Sequence, residues 1–199
     1  MNRRHLLRAS LVTAAGLGTL SACTESKPQF AAIDMTGADY AKDFSLPDQS
    51  GTVRSLKDFR GKLVVLFFGY TQCPDVCPTT MTEIAQAKKL LGPDGDKVQG
   101  IFVTVDPERD TPEVLKNYMA NFDPTFIGLR ATPDQLSAMA KDFKVYYKKV
   151  DGKSASGYTM DHSAASYVYD TKGQLRLYTR YGSGAKSLAS DLKLLLAQA

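Results

Sequence analysis

The sequence predicts a mixed α/β fold, a central sheet flanked by helices, and three observations lead there. Two continuous apolar runs, LVVLFF at residues 63–68 and IFVTV at 101–105, have the length and unbroken hydrophobicity of strands covered on both faces. Between and after them stand stretches with apolar residues at i, i+3, i+4 and i+7, the period of a helix with one buried face. Late in the chain, 166–170 and 175–179 flank Thr171-Lys172-Gly173 and read as an antiparallel hairpin.

Taken in order, residues 1–22 hold three arginines, no acid and an apolar stretch short for a membrane span, the pattern of an export signal. Leu20-Ser21-Ala22-Cys23 has the form of a bacterial lipobox, which makes Cys23 the expected site of lipid attachment. Asn2-Arg3-Arg4-His5-Leu6-Leu7-Arg8 resembles a twin-arginine signal, so the export route stays open between that and the general secretory one. Residues 23–40 are polar without a sustained period and read as a tether to the anchor. A single domain is expected over 41–199. Within it, Phe44-Ser45-Leu46 alternates, 48–51 forms a turn and Thr52-Val53 returns as a strand. Ser55 to Phe59 reads as a short helical turn closed at Gly61.

Helix is expected over 78–91, with Met81, Ile84, Ala85 and Lys88 on one stripe. Two further helices carry Leu115, Tyr118, Met119, Phe122 and Leu136, Met139, Ala140, Phe143, with a short strand at 126–129 between them. Both open with Thr-Pro-acid, where threonine caps, proline fills the first position and the acid faces the positive helix end. Leu188, Leu192 and Leu195 mark a closing helix. Parallel βαβ units followed by an antiparallel pair are best fitted by a thioredoxin-like sheet.

Composition narrows the function. With 43% apolar residues the core does not depend on cysteine staples. The net charge of +4 belongs mostly to the signal, since 22 bases face 21 acids without it. That balance gives no reason to expect nucleic acid or an anionic membrane surface as a partner.

Cys73 and Cys77 follow the first apolar run, at the loop and the first turn of the next helix. A helix N-terminus stabilises thiolate, and thiolates attack disulfides or bind soft cations. The alternative is a pair of small buried hydrophobes or a structural disulfide. Against that, the closed loop is too short to stabilise much. The pair also lies beyond the carboxyl end of a strand, where open α/β sheets bind ligands. A dithiol oxidoreductase usually shows C-x-x-C, one residue fewer, and structural zinc asks for four protein ligands. His162, the single histidine outside the signal, lies 85 residues past Cys77, where this fold turns a loop toward the cysteines. Two thiolates and an imidazole make a three-coordinate soft site suited to Cu(I), and to Cu(II) with an added ligand. Asp161 is a candidate to orient the imidazole. Met160 is a candidate ligand that can equally well pack.

The segments GYTQCPDVCPTTM (69–81), VTVDPERDTPEVLKNYM (103–119) and DHSAASYVYDTKG (161–173) resemble the SCO/SenC family, from about Phe44 to the end. The resemblance implies a thioredoxin-like fold with an extra N-terminal hairpin. It implies one copper, bound through Cys73, Cys77 and His162, in a membrane-tethered protein that helps assemble the dinuclear copper centre of cytochrome c oxidase. It marks Asp161 as the acid before the family's histidine, and Asp106 and Asp110 as members of a signature that can serve only to set a loop. A lipobox replaces the family's usual transmembrane helix. The expected partners are the apo copper-binding subunit of the oxidase, or another copper protein, and a thiol reductant. The rival expectation is an enzyme, a thiol–disulfide oxidoreductase acting on the acceptor's cysteines, with Cys73 attacking and Cys77 resolving.

Overall fold

The computed structural model describes residues 29–152 and 157–199, so the expected export signal and Cys23 lie outside the described residues. In chain order, β1 is Ile33–Asp34, β2 Leu46–Pro47 and β3 Val53–Arg54, followed by a 3-10 helix at Leu56–Phe59. Next come β4 (Leu63–Gly69), α1 (Val76–Leu90), a second 3-10 helix (Gly92–Lys97) and β5 (Val98–Thr104). Then follow α2 (Pro112–Ala120), β6 (Ile127–Leu129), α3 (Pro133–Phe143), β7 (Tyr147–Asp151) and β8 (Tyr158–His162). The chain closes with β9 (Ser166–Tyr169), β10 (Leu175–Thr179) and α4 (Ala185–Leu196).

Six strands form one sheet in the order β1-β10-β9-β4-β5-β6. The pairs β4–β5 and β5–β6 are parallel, and β4–β9, β9–β10 and β10–β1 antiparallel. All seven residues of β4 are buried, as an unbroken apolar run requires of a strand with both faces covered. Alternation sends Phe68 to one face, edge-on to Phe143 of α3 and Tyr167. Phe67 points to the other, against Phe102 of β5 and the ring of His162. The buried tyrosines of β9 each satisfy their hydroxyl, Tyr167 on the Phe143 carbonyl at 2.6 Å and Tyr169 on that of Ala41 at 2.8 Å.

The expected helices are present, and their threonines cap as read. Thr111 accepts the Val114 N–H and Thr132 the Gln135 N–H, and the Gln135 side chain reaches back to the Thr132 N–H to close a capping box. The helix expected to start at Pro78 starts two residues earlier, at Val76. The proline is tolerated because its missing N–H falls among those that have no acceptor inside the helix. In the N-terminal hairpin the Asp48 carboxylate accepts the Ser50 and Thr52 N–H groups and the Arg54 Nε–H, so one side chain shapes the turn.

Two features depart from the sequence reading. The second half of the segment read as a tether joins the domain. Ile33 and Asp34 pair with Tyr178 and Leu177, and the N–H groups of Ala31 and Ala32 donate to the buried Asp191 carboxylate at 2.8 and 2.9 Å. A two-residue strand has no period to display, and its partners, Tyr178 and Leu177, lie far along the chain. The stretch before β9, read as a loop, is instead the β7–β8 hairpin, which pairs with no strand of the main sheet.

Candidate metal centre

The parallel pairing of β4 with β5 brings two loops together beyond the carboxyl ends of those strands. After β4 the chain turns through Tyr70-Thr71-Gln72-Cys73, with the Cys73 N–H on the Tyr70 carbonyl at 3.2 Å. Asp110, fully buried in the loop after β5, accepts the Thr71 N–H at 3.1 Å, the Thr71 hydroxyl at 2.6 Å and the Thr104 hydroxyl at 2.5 Å. Burial raises its pKa while these donors oppose the rise. Asp110 therefore sets the loop that presents Cys73.

Cys77 lies in the first turn of α1, fully buried, and Cys73 is half-buried just before the helix. The Cys77 N–H points at Cys73 Sγ over 3.4 Å, and Cys77 Sγ stands 3.4 Å from His162 Nε2. One donor atom from each of Cys73, Cys77 and His162 lies within 4.8 Å of the others, and both cysteines are free thiols. These are the three residues the sequence singled out.

His162 Nδ1 lies 3.0 Å from the Ser163 carbonyl oxygen. A carbonyl only accepts, so Nδ1 carries the proton and Nε2 turns its lone pair to the cysteines. Tyr70 and Phe67 hold the ring by edge contacts, with centroids 5.8 and 5.9 Å away. This corrects the part expected of Asp161, which is exposed and opposite Lys148 in the hairpin; the backbone of the next residue fixes the imidazole. Met160, two residues before His162, is buried and belongs to the hydrophobic core cluster that includes Val105 and Leu136.

The sulfurs share a proton unequally. The Cys77 S–H donates to Cys73 and, against the opposing effect of burial, pulls the Cys73 pKa down to about 4. The same bond, with burial and the neighbouring thiolate, pushes Cys77 well above the ordinary thiol range. The pair thus presents one half-buried thiolate and one buried thiol. Two sulfurs and an imidazole nitrogen within bonding reach of a common point suit a soft metal ion.

Arg109 is a residue the sequence reading passed over, and it lies between the two halves of the site. It pairs with Asp106 and bonds both the Gln72 side chain and the Tyr158 carbonyl. The available signal was a lone arginine among the acids of Asp106-Pro107-Glu108-Arg109-Asp110, directly after a buried strand. The cavity of about 570 Å³ that includes Thr36, Tyr40, Arg60 and Arg176 lies toward the opposite end of β4 and shares no residue with the three donors. No helix among the described residues is long and apolar enough to cross a membrane.

Fold and site together define a thioredoxin-like domain that carries a two-cysteine, one-histidine cluster able to hold a soft metal ion. The chain belongs to the SCO1/SenC family, whose model matches residues 34–197. It is 36% identical over 152 residues to an SCO2-like protein of Rickettsia felis, covering 76% of this chain and 74% of that protein. Among solved structures, Bradyrhizobium japonicum ScoI with copper bound is 42% identical with a TM-score of 0.69, covering 77% of this chain and 97% of that one. Apo Sco1 of Thermus thermophilus is 36% identical with a TM-score of 0.74, covering 84% and 97%.

Proposed function

We propose that this chain is a copper metallochaperone that delivers one copper per domain to the dinuclear centre of cytochrome c oxidase. The observation that carries the reading is the convergence of Cys73 Sγ, Cys77 Sγ and His162 Nε2. Its cargo is supported by the copper-bound relatives, ScoI of Bradyrhizobium japonicum and yeast Sco1. The acceptor is inferred from membership of a family of cytochrome c oxidase assembly proteins. In this reading Cys23 carries the lipid that tethers the domain outside the cytoplasm, on the periplasmic side of a bacterial membrane. Transfer is ligand exchange: a cysteine or histidine of the acceptor displaces His162, and the two thiolates then release the ion. Only the dithiol form binds, which couples loading to redox state and gives a thiol reductant a place among the partners.

The depressed pKa of Cys73 beside a buried Cys77 favours a second reading, thiol–disulfide exchange with the acceptor's cysteines. His162 separates the two, since thiol exchange does not need it. His162→Ala is expected to lose most tight Cu(I) binding in an anaerobic competition titration while keeping its reactivity toward disulfides. Unchanged Cu(I) affinity would rule out the three-ligand site.

The shared proton also fixes a pH dependence. Between about pH 4 and the raised pKa of Cys77 the sulfur pair holds one proton, which Cu(I) must expel. The sulfur pair should therefore cut the apparent association constant about tenfold per pH unit as the solution is acidified, more steeply below about pH 4. Chelator competition from about pH 8 to about pH 5 measures the slope. A flat profile would mean that the thiols are not the ligands.

A further inference from the structure

We infer that Arg109 is a positioning residue of the metal centre, one that sets the reach of His162 toward the two sulfurs. The inference rests on the metal-binding reading above. His162 ends β8, and the β7–β8 hairpin forms a two-stranded sheet of its own, so no strand ladder ties the third ligand to the strand that leads to the cysteines. Its placement depends on side chains. One attachment, Lys149 to Glu108 at 2.8 Å, is exposed on both sides and weakly holding. Another is the burial of Met160 in the hydrophobic core cluster that also holds Val105 and Leu136.

Arg109 is different in kind. Its side chain is only 14% exposed. Nε–H donates to Asp106, and Nη1 donates to the Tyr158 carbonyl at 3.0 Å and to Gln72 Oε1 at 3.2 Å. The guanidinium lies 3.6 Å over the Tyr158 ring, and the Tyr158 hydroxyl donates to the same Asp106 carboxylate at 2.9 Å. Gln72 immediately precedes Cys73, and Tyr158 is the first residue of the strand that His162 ends. One planar group therefore grips both ligand-bearing segments, through hydrogen bonds to each and a stacked face on one.

The fork geometry explains the residue type. A lysine could match the charge but not the simultaneous Nε and Nη1 contacts or the stacking. Arg109 Nη2, moreover, is buried with no hydrogen-bond partner among the described residues. An unpaired buried donor opposes folding, so stability alone gives little reason to keep it. A constraint on where the hairpin stands relative to Cys73 gives one.

The test is a double-mutant cycle on the full-length chain, with anaerobic Cu(I) competition as the readout. Arg109→Ala should weaken Cu(I) binding by about 10- to 100-fold, the range for partners that orient a metal ligand. Introduced into His162→Ala, the same change should add less than about twofold, because the ligand it positions is already gone. Arg109→Lys should fall between wild type and Arg109→Ala, and it serves in the cycle if the alanine variant fails to fold. With Co(II) as a spectroscopic probe, Arg109→Ala should give the His162→Ala spectrum. Equal weakening in both backgrounds would overturn the inference, as a general structural role predicts it. So would wild-type affinity in Arg109→Ala when His162→Ala is weak. If His162→Ala itself binds like wild type, the three-ligand reading falls, and the inference with it.

Discussion

Replacing Cys77 with alanine is expected to abolish tight Cu(I) binding and to return Cys73 toward an ordinary thiol. The metal loses the most deeply buried of its three donors, so the drop should exceed about a hundredfold, the upper end of the loss seen for merely supporting partners. The effect on Cys73 follows from the proton between the sulfurs. The Cys77 S–H is the largest cause of the lowered Cys73 pKa, and alanine offers no donor in its place. The measurement is the pH profile of Cys73 alkylation. Its inflection should rise from about 4 in wild type well toward the usual thiol value of about 8.5. The inflection is the right readout because a thiolate of lower pKa is also a weaker nucleophile, which masks the change in absolute rate. An inflection that stays near pH 4 would show that His162 and the backbone N–H groups at the helix start sustain the thiolate without the Cys77 S–H.

Gly69→Ala is expected to cost about 1–3 kcal/mol of stability and to loosen the site as well. Gly69 ends β4 directly beneath the cysteine helix. A Cβ there would lie 2.8 Å from Cys77 Sγ, 2.8 Å from Phe102 Cε2 and 2.8 Å from Phe67 Cε1. All three belong to fully buried side chains, so none can swing into solvent. Relief must come from displacing the rings or Cys77, and moving Cys77 alters its 3.4 Å approach to His162. Denaturant unfolding should show a lower midpoint at unchanged slope, with weaker Cu(I) binding alongside. A variant with wild-type values of both would show that the core yields there without consequence.

Local pattern carried the parts of this molecule whose causes are local. LVVLFF announced a doubly covered strand because both its faces are in fact buried, and Thr-Pro-acid announced two helix starts because the cap lies within three residues. The cysteines and His162 were legible by scarcity, few residue types being able to do that chemistry. What escaped depends on distant partners. β1 is held by β10, with Asp191 fixing the two residues before it, and the β7–β8 hairpin reads YKKVD and YTMDH, too polar to stand out as strands of a core. The orientation of His162 escaped for another reason. It is fixed by a backbone carbonyl, which every residue has and no sequence can advertise.

The three donors differ in how far they can be reached from outside. Cys77 is sealed in the core at 0% exposure, while Cys73 and His162 stand at its edge. An acceptor group arriving from solution meets those two before it meets Cys77. In the proposed transfer, an ion leaving by that route would bond to its recipient while its last tie to this protein still holds. The handover would then be a relay between two molecules, without a step in which the cargo is loose in water.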